Sequence, residues 1–221
     1  DWETGKLLWK FLSCPIIYTI SLKDIDRDGK QEILCGTHAV GNGNVANDMH
    51  DIFNYVFVLN SDGTMRWSRQ IGHYSSVLYA YWLINSNADK IYVVAIEQGS
   101  SAGERLCDSV FLIDAHSSQI LHKAQYGKYN QRPVVVSDSK KRPLIIIGGS
   151  DDTLRILDKN LKLAEKRLLN GYGVSDISVS NFTGQKDLEI AVATTNGKLL
   201  LYDLNLHLLS ELESNYRAIG E

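Results

Sequence analysis

The sequence predicts an all-β repeat fold, and three observations carry that reading. A turn-and-strand unit recurs along the chain, a second repeat sits half a unit away from it, and no stretch shows a convincing amphipathic helical pattern. The first unit appears as DWETGKLLW at Asp1–Trp9 and DAHSSQILH at Asp114–His122, which share without a gap an acid, small or polar residues, two apolar positions and a final ring. NSDGTMRW at Asn60–Trp67 is the same unit one residue shorter, and further versions begin at Asp158 and Asp203. These anchors are separated by 59, 54, 44 and 45 residues, a period with two long members. The second repeat overlays TISLKDIDRDGKQEILCGT (Thr19–Thr37) on DISVSNFTGQKDLEIAVAT (Asp176–Thr194) at a constant offset of 157.

Each unit reads as four short strands in a fixed order. Strand A is an apolar run before a polar turn, as in TISLK, and strand B is a buried run ending in small residues, as in EILCGT. Strand C is β-branched and aromatic: YVFVL, SVFLI, TLRIL and KLLLY in successive units. A tight turn then leads to strand D. Alternation and β-branched enrichment, bounded by Gly, Asn, Asp and Ser, favour strands over helices. LDKNLKLAEKRLLNG is the best helix candidate, and its place in the repeat assigns it to strand D. Four-stranded units at this spacing are the pattern of a β-propeller, in which each sheet is a blade and its inner strand lines a central channel. Nearly whole blades are expected at about 15–73, 74–128, 129–171 and 172–214, with the outer strand of a preceding blade over 1–12 and the first strand of another over 215–221. Four blades and a fraction do not close a common ring, and an open propeller leaves strand edges that proteins avoid or cover. The expectation is therefore a segment of a larger propeller, or one closed by a partner chain. The start at Asp1, with no charged leader and apolar core, reads likewise as an excised or processed piece.

Bulk properties narrow the partners. With 221 residues and 44% apolar content, the chain can bury a proper core. Its net charge of −3, from 23 basic and 26 acidic residues, and its lack of a basic run argue against nucleic acid. The longest apolar runs, PLIIIGG and IYVVAI, are strand-sized. A spanning helix needs roughly 20 residues, so no membrane span is expected. Cys14, Cys35 and Cys107 cannot all pair within the chain, and none lies in a metal-type CxxC.

The A–B turn of the first unit, KDIDRDGKQEI, places Asp24, Asp26 and Asp28 at alternate positions, followed by Gly29 and Glu32. So many carboxylates in so short a loop repel one another without a counter-ion. A single Ca²⁺ answers that need: Asp24, Asp26 and Asp28 supply side-chain oxygens, Lys30 its backbone carbonyl, and Glu32 closes the shell. An EF-hand is excluded, because Cys35 stands where its twelfth-position Glu belongs and strands rather than helices flank the loop. The bland alternative is an acidic hairpin turn that binds nothing. DIDRDGKQEI between two strands resembles the calcium loop of the FG-GAP and VCBS repeats, known from integrin-alpha-like propellers and secreted bacterial proteins. The resemblance covers all four units loosely, the complete metal motif occurs once, and TGKLLW is similar to the repeats of pyrroloquinoline-quinone-type propellers. In the fourth unit Asn181, Thr183, Gln185 and Glu189 stand at the ligand positions, and no ion is expected there.

Two B–C turns are long and lie on the face opposite the A–B turns. His38–Asn54 is inserted in the first unit and Gln98–Asp108 in the second. Long loops on a rigid scaffold usually serve binding, so this face is the expected site for a protein or carbohydrate ligand, with His38, Asn42, Asn44, Asp48, His50, Asp51, Glu104 and Arg105 as candidates. Tolerated insertion without a partner is the alternative, and a second metal at His38, Asp48, His50 and Asp51 is the weaker reading. Trp9 and Trp67 recur at one repeat position, which points to packing between blades. Nucleophile elbows, HExxH and phosphate-binding Gly loops are absent from the sequence. The leading expectation is a non-catalytic, calcium-stabilised recognition or sensor module, extracellular or periplasmic. The alternative is part of a propeller enzyme acting on carbohydrate or alcohol substrates.

Overall fold

A computed structural model of the chain describes residues 3–72, 76–85, 90–98, 108–128, 132–184 and 187–213. Among them are 18 strands and no helix. Blade one is β1 (Ile16–Lys23), β2 (Glu32–His38), a small hairpin of β3 (Val45–Ala46) and β4 (Met49–His50), then β5 (Tyr55–Leu59) and β6 (Met65–Gln70). Blade two is β7 (Val77–Asn85), β8 (Lys90–Gln98), β9 (Asp108–Asp114) and β10 (Ile120–Tyr126). Blade three follows as β11 (Val134–Ser137), β12 (Pro143–Gly148), β13 (Thr153–Asp158) and β14 (Leu163–Leu168). Blade four is β15 (Val174–Ser180), β16 (Glu189–Thr194), β17 (Lys198–Asp203) and β18 (Leu208–Glu213).

Blades three and four are separate four-stranded antiparallel sheets in sequence order, the meander that short turns impose on consecutive strands. Blade one meanders as well, and a bridge from His38 to Val77 links its sheet to that of blade two. The chain falls into two compact units, one built on blade one with part of blade two, the other on blades three and four with the remainder. Each unit has its own core. In the first, Leu34, Val56 and Val58 of blade one pack with Leu78, Ala80, Val93 and Ile113 of blade two. In the second, Ile146, Leu154 and Ile156 of blade three pack with Ile177, Ile190 and Val192 of blade four.

The small residues that end strand B have a packing reason. A Cβ on Gly36 would stand 2.4 Å from the Leu78 carbonyl of the next blade's inner strand. One on Gly148, at the same repeat position, would stand 2.6 Å from Val174 Cγ2. Only glycine allows so close an approach. Residues 3–15 form no strand, although an outer strand was expected over 1–12. The expected strand over 215–221 lies outside the described residues.

Candidate functional site

The acidic loop is built around Asp24. Its carboxylate accepts the Arg27 N–H at 2.6 Å and the Gly29 N–H at 3.0 Å, closing the turn on itself. Arg27 and Gly29 both take positive φ, 65° and 83°, which glycine adopts without strain. Asp26 Oδ1 accepts the Asp28 N–H at 3.4 Å, and Asp28 Oδ1 accepts the Lys30 N–H at 2.8 Å. One carboxylate oxygen from each of Asp24, Asp26 and Asp28 lies within 4.8 Å of the others. This triad can hold a metal ion, and an all-oxygen donor set suits a hard cation.

Glu32 and Arg66 set the electrostatics beneath the triad. Glu32 is buried at the start of β2, and its Oε2 accepts the Ile25 N–H at 2.9 Å. Arg66, on β6, donates from Nη2 to Asp26 Oδ2 at 2.8 Å, and its Nη1 lies 3.5 Å from Glu32 Oε1. Nη1 is buried and makes no hydrogen bond in the described structure. The Arg66 hydrogen bond holds the Asp26 carboxyl below its ordinary pKa. Part of the acidic charge is thus already balanced by a guanidinium, a partner the local motif gave no sign of. Lys30 Nζ reaches Asp28 Oδ2 only at 4.0 Å, with both side chains largely exposed.

The blade-one insert is an organised structure. Asp51 is fully buried, and its carboxylate accepts the N–H groups of Asn42 at 2.8 Å, Gly43 at 3.1 Å and Asn44 at 3.2 Å. Burial pushes the Asp51 pKa up, but these three donors and nearby His50 outweigh it and hold the group below its usual range. Asn47 and Asp48 both have positive φ between β3 and β4, the conformation of a two-residue type I′ hairpin. His50 Nδ1 accepts the Ile52 N–H at 3.2 Å and sits 3.4 Å from Asp51. His38, half-buried at the end of β2, meets the edge of the Tyr18 ring at 6.1 Å. Asn42, Asn44 and Asp48 stay exposed on the outer side. Glu104 and Arg105, with most of the blade-two insert, lie outside the described residues. Asn54 closes the blade-one insert by donating to the Ser76 carbonyl at 2.6 Å, with Thr37 Oγ1 bonded to its Oδ1 at 3.2 Å.

Arg66 and the Thr37–Asn54–Ser76 chain are the functional-site and support residues that sequence reasoning missed, and Asp51, a candidate ligand in the sequence, is instead tied to the backbone of its own insert. The β3–β4 hairpin carried a local signal, in Asn47-Asp48 between Val45-Ala46 and Met49. Cys35 is buried, its thiol pushed up to about 12, which suits packing rather than reactivity.

No family model matches the chain, and no curated protein matches it. Solved structures do. BBS1N, in a crystal structure of its complex with ARL6DN, overlays at a TM-score of 0.63 with 9% identity, covering 92% of this chain and 57% of that one. The Dos1 propeller overlays at 0.60 with 11% identity, covering 90% and 47%. Rhamnogalacturonan lyase YesW overlays at 0.61 with 13% identity, covering 88% and 42%. The chain has a β-propeller fold. It spans about half the length of these structures, and at such identities the likeness concerns the fold alone. No helix among the described residues is long and apolar enough to cross a membrane.

Proposed function

We propose that this chain is a non-catalytic β-propeller module of the FG-GAP/VCBS type, stabilised by one Ca²⁺ and recognising a protein or carbohydrate ligand in an extracellular or periplasmic setting. The observation that carries the calcium part is the convergence of Asp24, Asp26 and Asp28 oxygens within 4.8 Å. Asp24, Asp26 and Asp28 would hold the ion, with the Lys30 carbonyl and Glu32 as the further donors of the motif. The ion would supply the positive charge that lets the turn close. The recognition part rests on the clamped blade-one insert, whose exposed Asn42, Asn44 and Asp48 stand on a fixed backbone. The complex of BBS1N with ARL6DN supports a propeller as a protein-binding platform.

The test is thermal melting with added calcium, with a chelator, and with Asp26→Ala. Calcium is expected to raise Tm and the substitution to remove the response. Equal melts in all conditions overturn the calcium part. Recognition is tested on glycan arrays and protein libraries with the triple variant Asn42→Ala/Asn44→Ala/Asp48→Ala, which is expected to lose whatever ligand the parent captures. The likeness to a rhamnogalacturonan lyase favours the second reading, a propeller enzyme acting on carbohydrate. Turnover of a pectic polysaccharide by the purified chain would establish that reading instead.

A further inference from the structure

Two indole rings in this chain sit in equivalent slots. Trp9 donates from Nε1 to the Ser61 carbonyl at 3.1 Å, and Trp67 donates to the Ala115 carbonyl at 2.8 Å. Ser61 and Ala115 each follow the residue that opens a C–D turn, Asn60 in blade one and Asp114 in blade two. Trp9 lies so close over the turn that a Cβ on Gly63 would meet its ring at 2.5 Å. The slot accepts a ring from a segment that is not in a sheet, because residues 3–15, which carry Trp9, form no strand.

Among the described residues, no ring fills the same slot between blades three and four. Strand pairing fixes the equivalence: Met65 and Trp67 pair with Leu59 and Val58 across a one-residue bulge, as Leu163 and Glu165 pair with Leu157 and Ile156. Glu165 therefore stands where Trp67 stands. The acceptor equivalent to Ser61 and Ala115 is the carbonyl of Leu204, the residue after Asp203, and no described donor bonds to it. A cavity of about 700 Å³ opens at this place, with Leu144, Ile156, Ala164, Glu165 and Leu204 among its lining. That volume lies within the roughly 300–1,000 Å³ of ligand pockets. All six residues of β14 are exposed, whereas Met65, Arg66 and Trp67 of β6 are half-buried.

We propose that the cavity between blades three and four is a binding site for a tryptophan side chain carried by a short basic peptide segment of a partner protein. The ring would lie on Leu144 and Ile156 with its N–H directed at the Leu204 carbonyl, as Trp9 and Trp67 do at their own turns. Glu165 adds a carboxylate that makes no hydrogen bond in the described structure, so a Lys or Arg beside the tryptophan complements it. The chain's own docked segment has that composition, Trp9 followed by Lys10. This site is separate from the B–C face and does not depend on calcium.

The probe is a synthetic acetylated peptide of the sequence Gly5–Ser13, titrated into the purified chain at fixed calcium and followed by methyl NMR and calorimetry. Saturable binding is expected, with the Leu144, Ile156 and Leu204 methyl signals shifting most. A Trp→Ala peptide should bind about tenfold or more weakly, and a Lys→Glu change after the tryptophan should weaken binding several-fold. Glu165→Trp should fill the slot, raise Tm and abolish the shifts. If that variant does not fold, the location of the shifts on the parent chain decides. Absent binding, shifts confined to blade one, or equal binding of the Trp→Ala peptide overturn the proposal. Equal binding of free N-acetyltryptophanamide also overturns it, since the site would then take a small molecule rather than a peptide.

Discussion

The A–B turns of blades one and four superimpose in sequence without a gap, yet they are held together by different chemistry. Both depend on a buried glutamate at the first residue of strand B. Glu32 accepts one backbone N–H, from Ile25, and Glu189 accepts two, from Phe182 at 2.9 Å and Thr183 at 2.8 Å. Glu189 also bonds the Thr183 hydroxyl, which together with those two N–H groups holds its pKa below the ordinary carboxylate value despite burial. In blade four the described donors to Glu189 are all neutral. In blade one the position of Thr183 is taken by Asp26, and the turn carries three further carboxylates balanced in part by Arg66. The shared glutamate is a tie that any blade can use; the aspartate triad is an addition to it, with a charge that calls for a cation.

The largest expected effect comes from cutting the tie. Glu189→Ala strands two N–H groups and a hydroxyl, whereas Glu32→Ala strands one N–H and removes the 3.5 Å ion pair to Arg66, which keeps its hydrogen bond to Asp26, so Glu189→Ala should lower Tm by roughly 10 °C or more and exceed Glu32→Ala. Equal losses in calorimetry would break the comparison. Calcium comes next: at a hundredfold excess over its dissociation constant a bound ion contributes about 2.7 kcal/mol, or roughly 5–10 °C in Tm. The gain should vanish in Asp26→Ala and be untouched by Glu189→Ala.

Arg66→Leu should act in two directions. Without calcium it removes the counter-charge of Asp26 and lowers Tm by a few degrees. With calcium it frees an Asp26 oxygen and should tighten binding several-fold in a calorimetric titration. Acid sharpens the contrast further. Glu189 has a folded pKa below its ordinary 4.5, so its contribution is present above that value and is lost as pH falls through the folded value. Glu189→Gln should therefore flatten the fall in Tm below about pH 4.5. The smallest effect is Lys30→Ala, which removes only an exposed contact at 4.0 Å and should leave Tm unchanged.

Much of the fold was legible because it is written locally and repeatedly. The apolar run of strand C, the Asn or Asp that opens the next turn, and the small residue at Gly36 and Gly148 each report a constraint met within a few residues or imposed identically in every blade. The aspartate spacing was legible for the same reason. The insert was harder to read. His50 and Asp51 look like ligands in a polar loop, but burial of Asp51 under three N–H groups commits it to the backbone.

By itself the sequence determined the repeat, the strand order and the cluster of carboxylates, since periodicity and spacing within one turn suffice for each. Only the tertiary structure decided that Arg66, 40 residues from Asp26, lies against the acidic turn. It also decided that the tryptophan slot is filled at two turns and, among the described residues, open at a third. Those outcomes depend on which strands lie side by side and in what register, and the cost of a buried charge or the space left by a missing ring is set by neighbours distant in the chain.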